Sequence, residues 1–192
     1  MRFLAAFLLT VGLALPAQAQ KLSLGTLSSY LNGLQTVEAD FTQINADGSI
    51  STGQVFIKRP GRVLFKYNPP EKQVVVASGG EVVVVDPASN TGPESYPLSQ
   101  TPLSIILAQN VNLGQARMVT NHDYDGTATV VTAQDPEHPE YGNIQLKFTG
   151  PTPELRQWII NNDQGATTVI LGDLKKGGNL SNNLFAVSKY FN

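Results

Sequence analysis

The 192-residue sequence contains no cysteine. This absence excludes a disulfide framework, a thiolate metal site, a cysteine nucleophile and lipidation at an N-terminal cysteine. Charged residues make up only 15% of the chain and the formal net charge is -2, a balance that does not suggest nucleic-acid binding. With 41% hydrophobic residues, the chain is long enough for one domain with a sizeable core.

Long apolar runs are also lacking, except at the N-terminus. Arg2 precedes an apolar run at residues 3–15, which is followed by Pro16 and the small-x-small sequence at residues 17–19. The run is shorter than the about 20 residues that span a bilayer, and its pattern is typical of a cleaved secretory signal. We therefore expect residues 1–19 to be removed and residues 20–192 to form one soluble, monomeric domain. The alternative is an uncleaved N-terminal anchor.

Motifs of catalytic sites are missing as well. The chain has no Gly-x-Ser-x-Gly, no His-Glu-x-x-His and no phosphate-binding loop. His122 lies in a predicted strand, and His138 lies in an acidic loop at residues 135–140. A metal site at His138 would need a further ligand from elsewhere, so a solvated loop is the favoured interpretation. We predict no enzymatic activity, no metal and no cofactor.

Short strands separated by turn residues account for most of the remaining sequence. The clearest pair lies within residues 53–69, where the breaker Arg59-Pro60-Gly61 separates two extended runs. Large apolar side chains occupy both faces of this hairpin, so each face needs a covering element. We place on one face Val55, Ile57, Val63 and Phe65, and on the other Phe56, Leu64 and Tyr67.

The same pattern predicts nine further strands. They cover residues 37–44, 73–77, 81–85, 117–124, 127–134, 142–149, 155–161, 167–175 and 184–191. Residues 86–100 are rich in Pro, Asn, Ser and Gly and are predicted to be a loop. About eleven short strands at near-regular spacing predict a mainly β fold, with a single curved antiparallel sheet.

Two helices are predicted to lie on the concave side of this sheet. Leucines recur at helical spacing in the first, at positions 24, 27, 31 and 34, which predicts an amphipathic helix. Thr101 is a plausible N-cap for the second helix, with Pro102 at its first position. Residues 103–109 are nearly all apolar, so this helix must be buried or must line something.

Five short motifs resemble, in their order, one known family. They are Ala39-Asp40-Phe41-Thr42-Gln43, the run at residues 53–60 that ends in Ile57-Lys58-Arg59-Pro60, Tyr67-Asn68-Pro69-Pro70, Ser78-Gly79-Gly80 and Asp86-Pro87. The chain resembles the periplasmic outer-membrane lipoprotein carriers of Gram-negative bacteria. The resemblance covers essentially the whole mature chain and is firmest at residues 41–87.

The resemblance implies an unclosed half β-barrel of about eleven strands with a helical lid over an apolar cavity. It implies a periplasmic chaperone that takes acylated lipoproteins from an inner-membrane lipoprotein-releasing ABC transporter and shields their acyl chains. The cargo then passes to an outer-membrane receptor lipoprotein. That receptor has a similar fold but needs an N-terminal cysteine, so this chain is expected to be the soluble shuttle.

The resemblance also implies site residues. Arg59 is expected to be a lid latch that holds the empty lid shut by hydrogen bonds to backbone carbonyls of the lid helices, since its guanidinium offers five donors. Lys58 and Arg62 are expected to be exposed charges of little importance. The residues expected to face the acyl-chain cavity or form the lid are Leu27, Leu31, Phe41, Val63, Phe65, Leu103, Ile106 and Leu107.

Two other functions stay open on the sequence. A periplasmic binding protein for another lipid or hydrophobic ligand would share the cavity. A structural protein of the envelope would instead have an ordinary packed core and no cavity.

Overall fold

The computed structural model describes residues 21–90, 92–115 and 117–191, so the predicted signal sequence lies outside the described residues. The described part contains two α-helices, α1 (Leu24–Gly33) and α2 (Leu103–Leu107). It also contains twelve strands: β1 (Thr36–Ile44), β2 (Ile50–Lys58), β3 (Arg62–Tyr67), β4 (Val74–Ser78), β5 (Glu81–Val85), β6 (Glu94–Pro97), β7 (Val119–Tyr124), β8 (Thr129–Gln134), β9 (Asn143–Thr149), β10 (Glu154–Asn162), β11 (Gly165–Leu171) and β12 (Lys175–Lys176).

All of these strands belong to one antiparallel sheet, in the order β6-β5-β4-β3-β2-β1-β11-β10-β9-β8-β7. The two-residue strand β12 pairs with the first part of β1, while β11 pairs with its last part, from Phe41 to Ile44. Strands β6 and β7 are the two edges and are not paired with each other, so the sheet stays open. The predicted single, unclosed antiparallel sheet is confirmed.

The segment at residues 98–118 connects the two edges. It leaves edge strand β6 and enters edge strand β7, and it contains α2. Helix α1 precedes β1, and Ser23 caps it by accepting a hydrogen bond from the Thr26 backbone N–H at 3.1 Å. No helix in the part of the chain that the structure describes is long and apolar enough to cross a membrane.

The concave face of the sheet carries the main core. Strand residues two positions apart share a face, and this places Val55, Ile57, Val63 and Phe65 together against the buried leucines of both helices. Tyr67 also packs against this cluster. Its predicted position on the opposite face is therefore wrong, because positions 63, 65 and 67 share one parity.

The convex face of the central hairpin has its own covering element. Leu64 and Val76 are fully buried there against Phe185. The residues around Phe185 were predicted to be a last strand, but they form two short 3-10 helices, Asn182–Phe185 and Val187–Tyr190. That prediction was wrong, because the apolar residues of this segment pack onto the outside of the sheet instead of extending it.

Three other local predictions need correction. Strand β6 lies within the predicted loop, since an exposed edge strand tolerates Pro97. Helix α2 starts one residue later than predicted, because Thr101 donates its hydroxyl to the Leu98 carbonyl and Pro102 occupies the N-cap. The helix also ends at Leu107, since the backbone of Ala108 is extended.

Candidate ligand cavity and lid

A cavity of about 320 Å³ lies between the concave face of the sheet and the start of α2. This volume is at the lower end of the roughly 300–1,000 Å³ range of small-molecule sites. Most of its lining is apolar or aromatic: Phe65, Tyr67, Val75, Val82, Val84, Pro102, Leu103, Tyr141, Trp158, Ile160 and Val169. The cavity therefore offers an aliphatic and aromatic surface to a ligand.

Polar side chains complete the lining of this cavity: Gln43, Gln100, Thr101, Asn162 and Thr167. The Tyr67 hydroxyl donates to Gln43 Oε1 at 2.7 Å, and Gln43 Nε2 donates to Asn45 Oδ1 at 2.6 Å. Burial raises the pKa of Tyr67 to about 12, although the bond to Gln43 acts in the opposite direction. The hydroxyl is therefore neutral at physiological pH.

A polar groove of about 540 Å³ adjoins the cavity and shares five residues with its wall. The shared residues are Val84, Gln100, Thr101, Tyr141 and Asn162. Carboxylates of Glu94, Glu140 and Asp163 line the groove. We call this groove the rim, because it connects the apolar cavity with the surface.

The lid consists of α1, α2 and the chain that follows α2. Leu27 and Leu31 of α1 are buried, and so are the apolar residues of α2. A small void of about 20 Å³ lies under this lid, lined partly by Leu31, Ile106 and Leu107. The lid therefore packs closely on the sheet in this structure.

Arg59, in the turn between β2 and β3, is buried at 7% exposure and connects the parts of the lid. Its guanidinium donates to the Leu31 carbonyl in the last turn of α1 and to the Ala108 carbonyl just after α2. Further bonds run from Nε to Ala108 O at 3.2 Å and from Nη2 to Asn32 Oδ1 at 3.2 Å and to Gln109 O at 3.4 Å. Burial lowers the pKa of Arg59, but a guanidinium stays charged in proteins.

Other hydrogen bonds also join the lid parts. The side chain of Asn32 donates to the Val111 carbonyl at 2.9 Å and accepts from the Val111 N–H at 2.8 Å. Ser28 Oγ accepts from the Leu113 N–H at 3.0 Å. Neither residue was predicted to join the lid, although their spacing of four places Ser28 and Asn32 on one helix face.

The two neighbouring cations differ from their predicted description. Lys58 and Arg62 are half-buried rather than exposed. Lys58 Nζ donates to the Leu180 carbonyl at 2.6 Å, which ties β2 to the C-terminal segment on the convex side. Lys66 is exposed and is a better control for Arg59.

The structure distributes the eight predicted cavity and lid residues over three settings. Phe65 and Leu103 line the 320 Å³ cavity, and Leu31, Ile106 and Leu107 line the small void under the lid. Leu27, Phe41 and Val63 are buried in the main core and line neither space. The prediction missed Trp158 and Ile160, which β10 brings to the cavity from far along the chain.

The two histidines have local partners. A ring nitrogen of His122 lies 2.8 Å from the Leu22 carbonyl, where it holds the start of the described chain against β7. His138 bonds Glu140 at 2.9 Å, and this bond raises the pKa of His138. Within residues 21–90, 92–115 and 117–191, no three His, Asp or Glu side chains are grouped so that they could hold a metal ion.

These features define a class of half-barrel proteins in which a helical lid covers an apolar cavity. Residues 32–188 match the model of a family described as outer membrane lipoprotein carrier protein LolA, and the chain belongs to this family. Members of the family are periplasmic carriers, and the family is not an enzyme family.

Individual relatives are similar at modest identity. An outer-membrane lipoprotein carrier protein of Pseudomonas entomophila is 31% identical over 159 residues, which are 79% of this chain and 73% of that one. One of Methylobacillus flagellatus is 24% identical over 194 residues, covering 96% of this chain and 94% of that one. The match with the crystal structure of LolA superfamily protein NE2245 from Nitrosomonas europaea covers 88% of this chain and 99% of the NE2245 chain. The sequence identity is 11% and the TM-score is 0.46.

Proposed function

We propose that the mature chain, residues 20–192, acts as one carrier domain that moves acylated lipoproteins through the periplasm. It receives them from an inner-membrane lipoprotein-releasing ABC transporter and holds their acyl chains against the concave face. It then passes them to a receptor lipoprotein at the outer membrane. Membership of the lipoprotein carrier family supports the cargo, and the two membrane partners are proposed by analogy with that family.

The cost of exposing acyl chains to water explains the need for such a carrier. At about 0.8 kcal/mol per methylene, some forty methylenes would cost on the order of 30 kcal/mol to hold in water. Free diffusion of a lipoprotein through an aqueous compartment is therefore excluded. A carrier must also release its cargo, which favours an adaptable aliphatic lining over a rigid one.

The arrangement of Arg59 carries the proposal. One buried guanidinium bonds carbonyls from both sides of the lid, at Leu31 and at Ala108. A static core would not need a charge in this position, since burying it carries a desolvation cost. In a lid that opens and closes, the same buried charge would specify one closed arrangement of the two lid helices. We assign Arg59 as the latch that favours the closed, empty carrier.

Co-purification from the protein's own host tests the cargo. A tagged mature chain should retain acylated lipoproteins that mass spectrometry identifies by their lipid-modified N-termini. Leu103→Asn, which places an amide in the cavity wall, should lower the retained amount by about tenfold or more. Ile50→Asn is the matched control, because Ile50 is 64% exposed and lies outside the cavity lining.

A small hydrophobic ligand is the second candidate. The cavity volume of about 320 Å³ in the closed state favours it, since this space does not hold several acyl chains. Native mass spectrometry of protein purified from the host distinguishes the two functions. A bound mass of a free lipid without any polypeptide would contradict the lipoprotein carrier.

A further inference from the structure

Trp158 carries a polar group that the fold does not satisfy. Among the residues that the structure describes, its indole Nε1 is the one buried side-chain nitrogen or oxygen without a hydrogen-bond partner. The side chain is only 1% exposed, and it is the only tryptophan in the sequence. Buried donors are normally paired, because an unpaired one costs about 1–3 kcal/mol.

This side chain lies in the wall of the cavity. Trp158 pairs with Val169 of β11 and Leu146 of β9 in the sheet, and its ring meets Phe65 edge to face at a centroid distance of 6.2 Å. Trp158, Val169 and Phe65 are all buried, and all three border the 320 Å³ space.

Two other polar side chains of the cavity wall, Tyr67 and Gln43, are already paired. The Tyr67 hydroxyl is bonded to Gln43, and Gln43 is bonded to Asn45. An indole N–H can only donate, so its partner must be an acceptor. The hydrocarbon part of an acyl chain offers no acceptor, but the carbonyl oxygen that joins the chain to its head group does.

The path of β10 indicates how a ligand with such an acceptor would be oriented in the cavity. Leu155 lines the void under the lid, Trp158 and Ile160 line the cavity, and Asn162 belongs to both the cavity and the rim. Trp158 therefore lies between the lid and the polar rim. A ligand that lies along β10 in the cavity would have its hydrocarbon near the lid and its head group near the rim, with Trp158 between them.

We propose that the Trp158 indole N–H is a binding group for acyl ligands, which it recognises by donating a hydrogen bond to their ester or amide carbonyl. This proposal rests on the proposed function, because it assigns the polar contact of the same cavity. It makes the cavity selective for acylated ligands over hydrocarbon chains of equal length that lack a carbonyl.

A matched pair of lipids tests the selectivity. 1-Monomyristin has an ester carbonyl, whereas 1-O-tetradecylglycerol has the same glycerol head and chain length with an ether link. Displacement of a fluorescent apolar dye from the mature protein should show about fivefold tighter binding of the ester, the effect of one net hydrogen bond. Trp158→Phe should abolish this preference, and Tyr190→Phe should keep it, because Tyr190 packs on the convex side and lies outside the cavity lining.

A second measurement uses the unsubstituted protein. Since Trp158 is the only tryptophan, the amide NMR spectrum contains one indole N–H signal. Saturation with the ester should shift that proton downfield, and saturation with the ether should leave it near its free position.

The outcomes distinguish the assignment of Trp158 from the carrier function. Equal affinity of the wild type for ester and ether, with an unshifted indole signal, overturns the Trp158 assignment but leaves a carrier that retains lipoproteins. Failure to bind either lipid, together with failure to retain lipoprotein, overturns the assignment and the proposed function together.

Discussion

Arg59 combines a charge, deep burial and several backbone acceptors in one side chain. A guanidinium presents its donors in a fixed fork, so it can bond the Leu31 and Ala108 carbonyls at the same time. Lysine could place only a compact ammonium at this position. The contacts of Arg59 with the lid therefore use the shape of the arginine head group as well as its charge.

We expect Arg59→Leu to accept lipoprotein but to release it poorly. Bonds from a charged donor contribute roughly 1.5–3 kcal/mol, which shifts a lid equilibrium by about one to two decades toward the open, loaded state. Lipoprotein bound to the carrier should accumulate in a transfer assay with outer-membrane acceptor vesicles. Lys66→Leu is the matched control and should transfer normally, because Lys66 is exposed. Release by Arg59→Leu at the wild-type rate would remove the latch assignment.

Tyr67 makes the stability of the protein decrease with rising pH in the alkaline range. Burial raises its pKa in the folded state from 10.0 to about 12, so the unfolded chain loses this proton first. The stabilisation by the neutral hydroxyl is present below pH 10 and is lost as the pH rises toward 12. In this range the wild type should lose up to about 1.4 kcal/mol more per pH unit than Tyr67→Phe. Urea unfolding at several pH values between 9 and 12 measures this, and parallel curves would contradict it.

At the scale of side chains, the sequence located more of the buried surface than of the polar contacts. Periodicity indicated that Phe65 and Leu103 face inward, and they line the cavity. It could not show Trp158 in the wall, because β10 meets Phe65 only after the sheet is assembled. The bonds of Asn32 to Val111 span 79 positions in the chain, a distance over which local patterns carry no information.

Among the elements, the C-terminal segment differs most from its prediction. Its two 3-10 helices cover Leu64 and Val76 on the convex face, where the sheet would otherwise expose an apolar patch. Alternating apolar residues predicted a strand there. A short amphipathic segment has the same sequence pattern whether it pairs with a sheet edge or packs on a sheet face. The remaining ten predicted strands were found, because turn residues with clear backbone preferences separate them.

We expect Phe185→Ala to destabilise the whole fold. Phe185 is 1% exposed against Leu64 and Val76, and a buried Phe→Ala change costs about 3–5 kcal/mol. Phe191→Ala is the control, because Phe191 is 53% exposed and its loss should change stability by less than about 0.5 kcal/mol. Urea unfolding measures both variants. Equal and small effects would show that the segment does not stabilise the sheet.

For the molecule as a whole, export is the property that the sequence predicts most directly. We expect the mature protein to begin within a residue or two of Gln20 and to appear in the periplasmic fraction, since residues 1–19 have the pattern of a signal peptide. Intact-mass measurement of the fractionated protein checks this. A mass that includes residues 1–19 would instead indicate an anchored protein.

The route of the chain between the two sheet edges restricts how the cavity can open. Residues 98–118 are attached to β6 at one end and to β7 at the other, so α2 is part of a strap and not of a free flap. Because both ends of this segment are fixed, α2 can move only together with a sheet edge or by rearrangement of residues 98–118 between the two edges. A ligand larger than the 320 Å³ cavity would therefore require this segment to shift. The covalent connection between β6 and β7 stays in place whether the cavity is empty or filled, so we expect a ligand to enter or leave beside it.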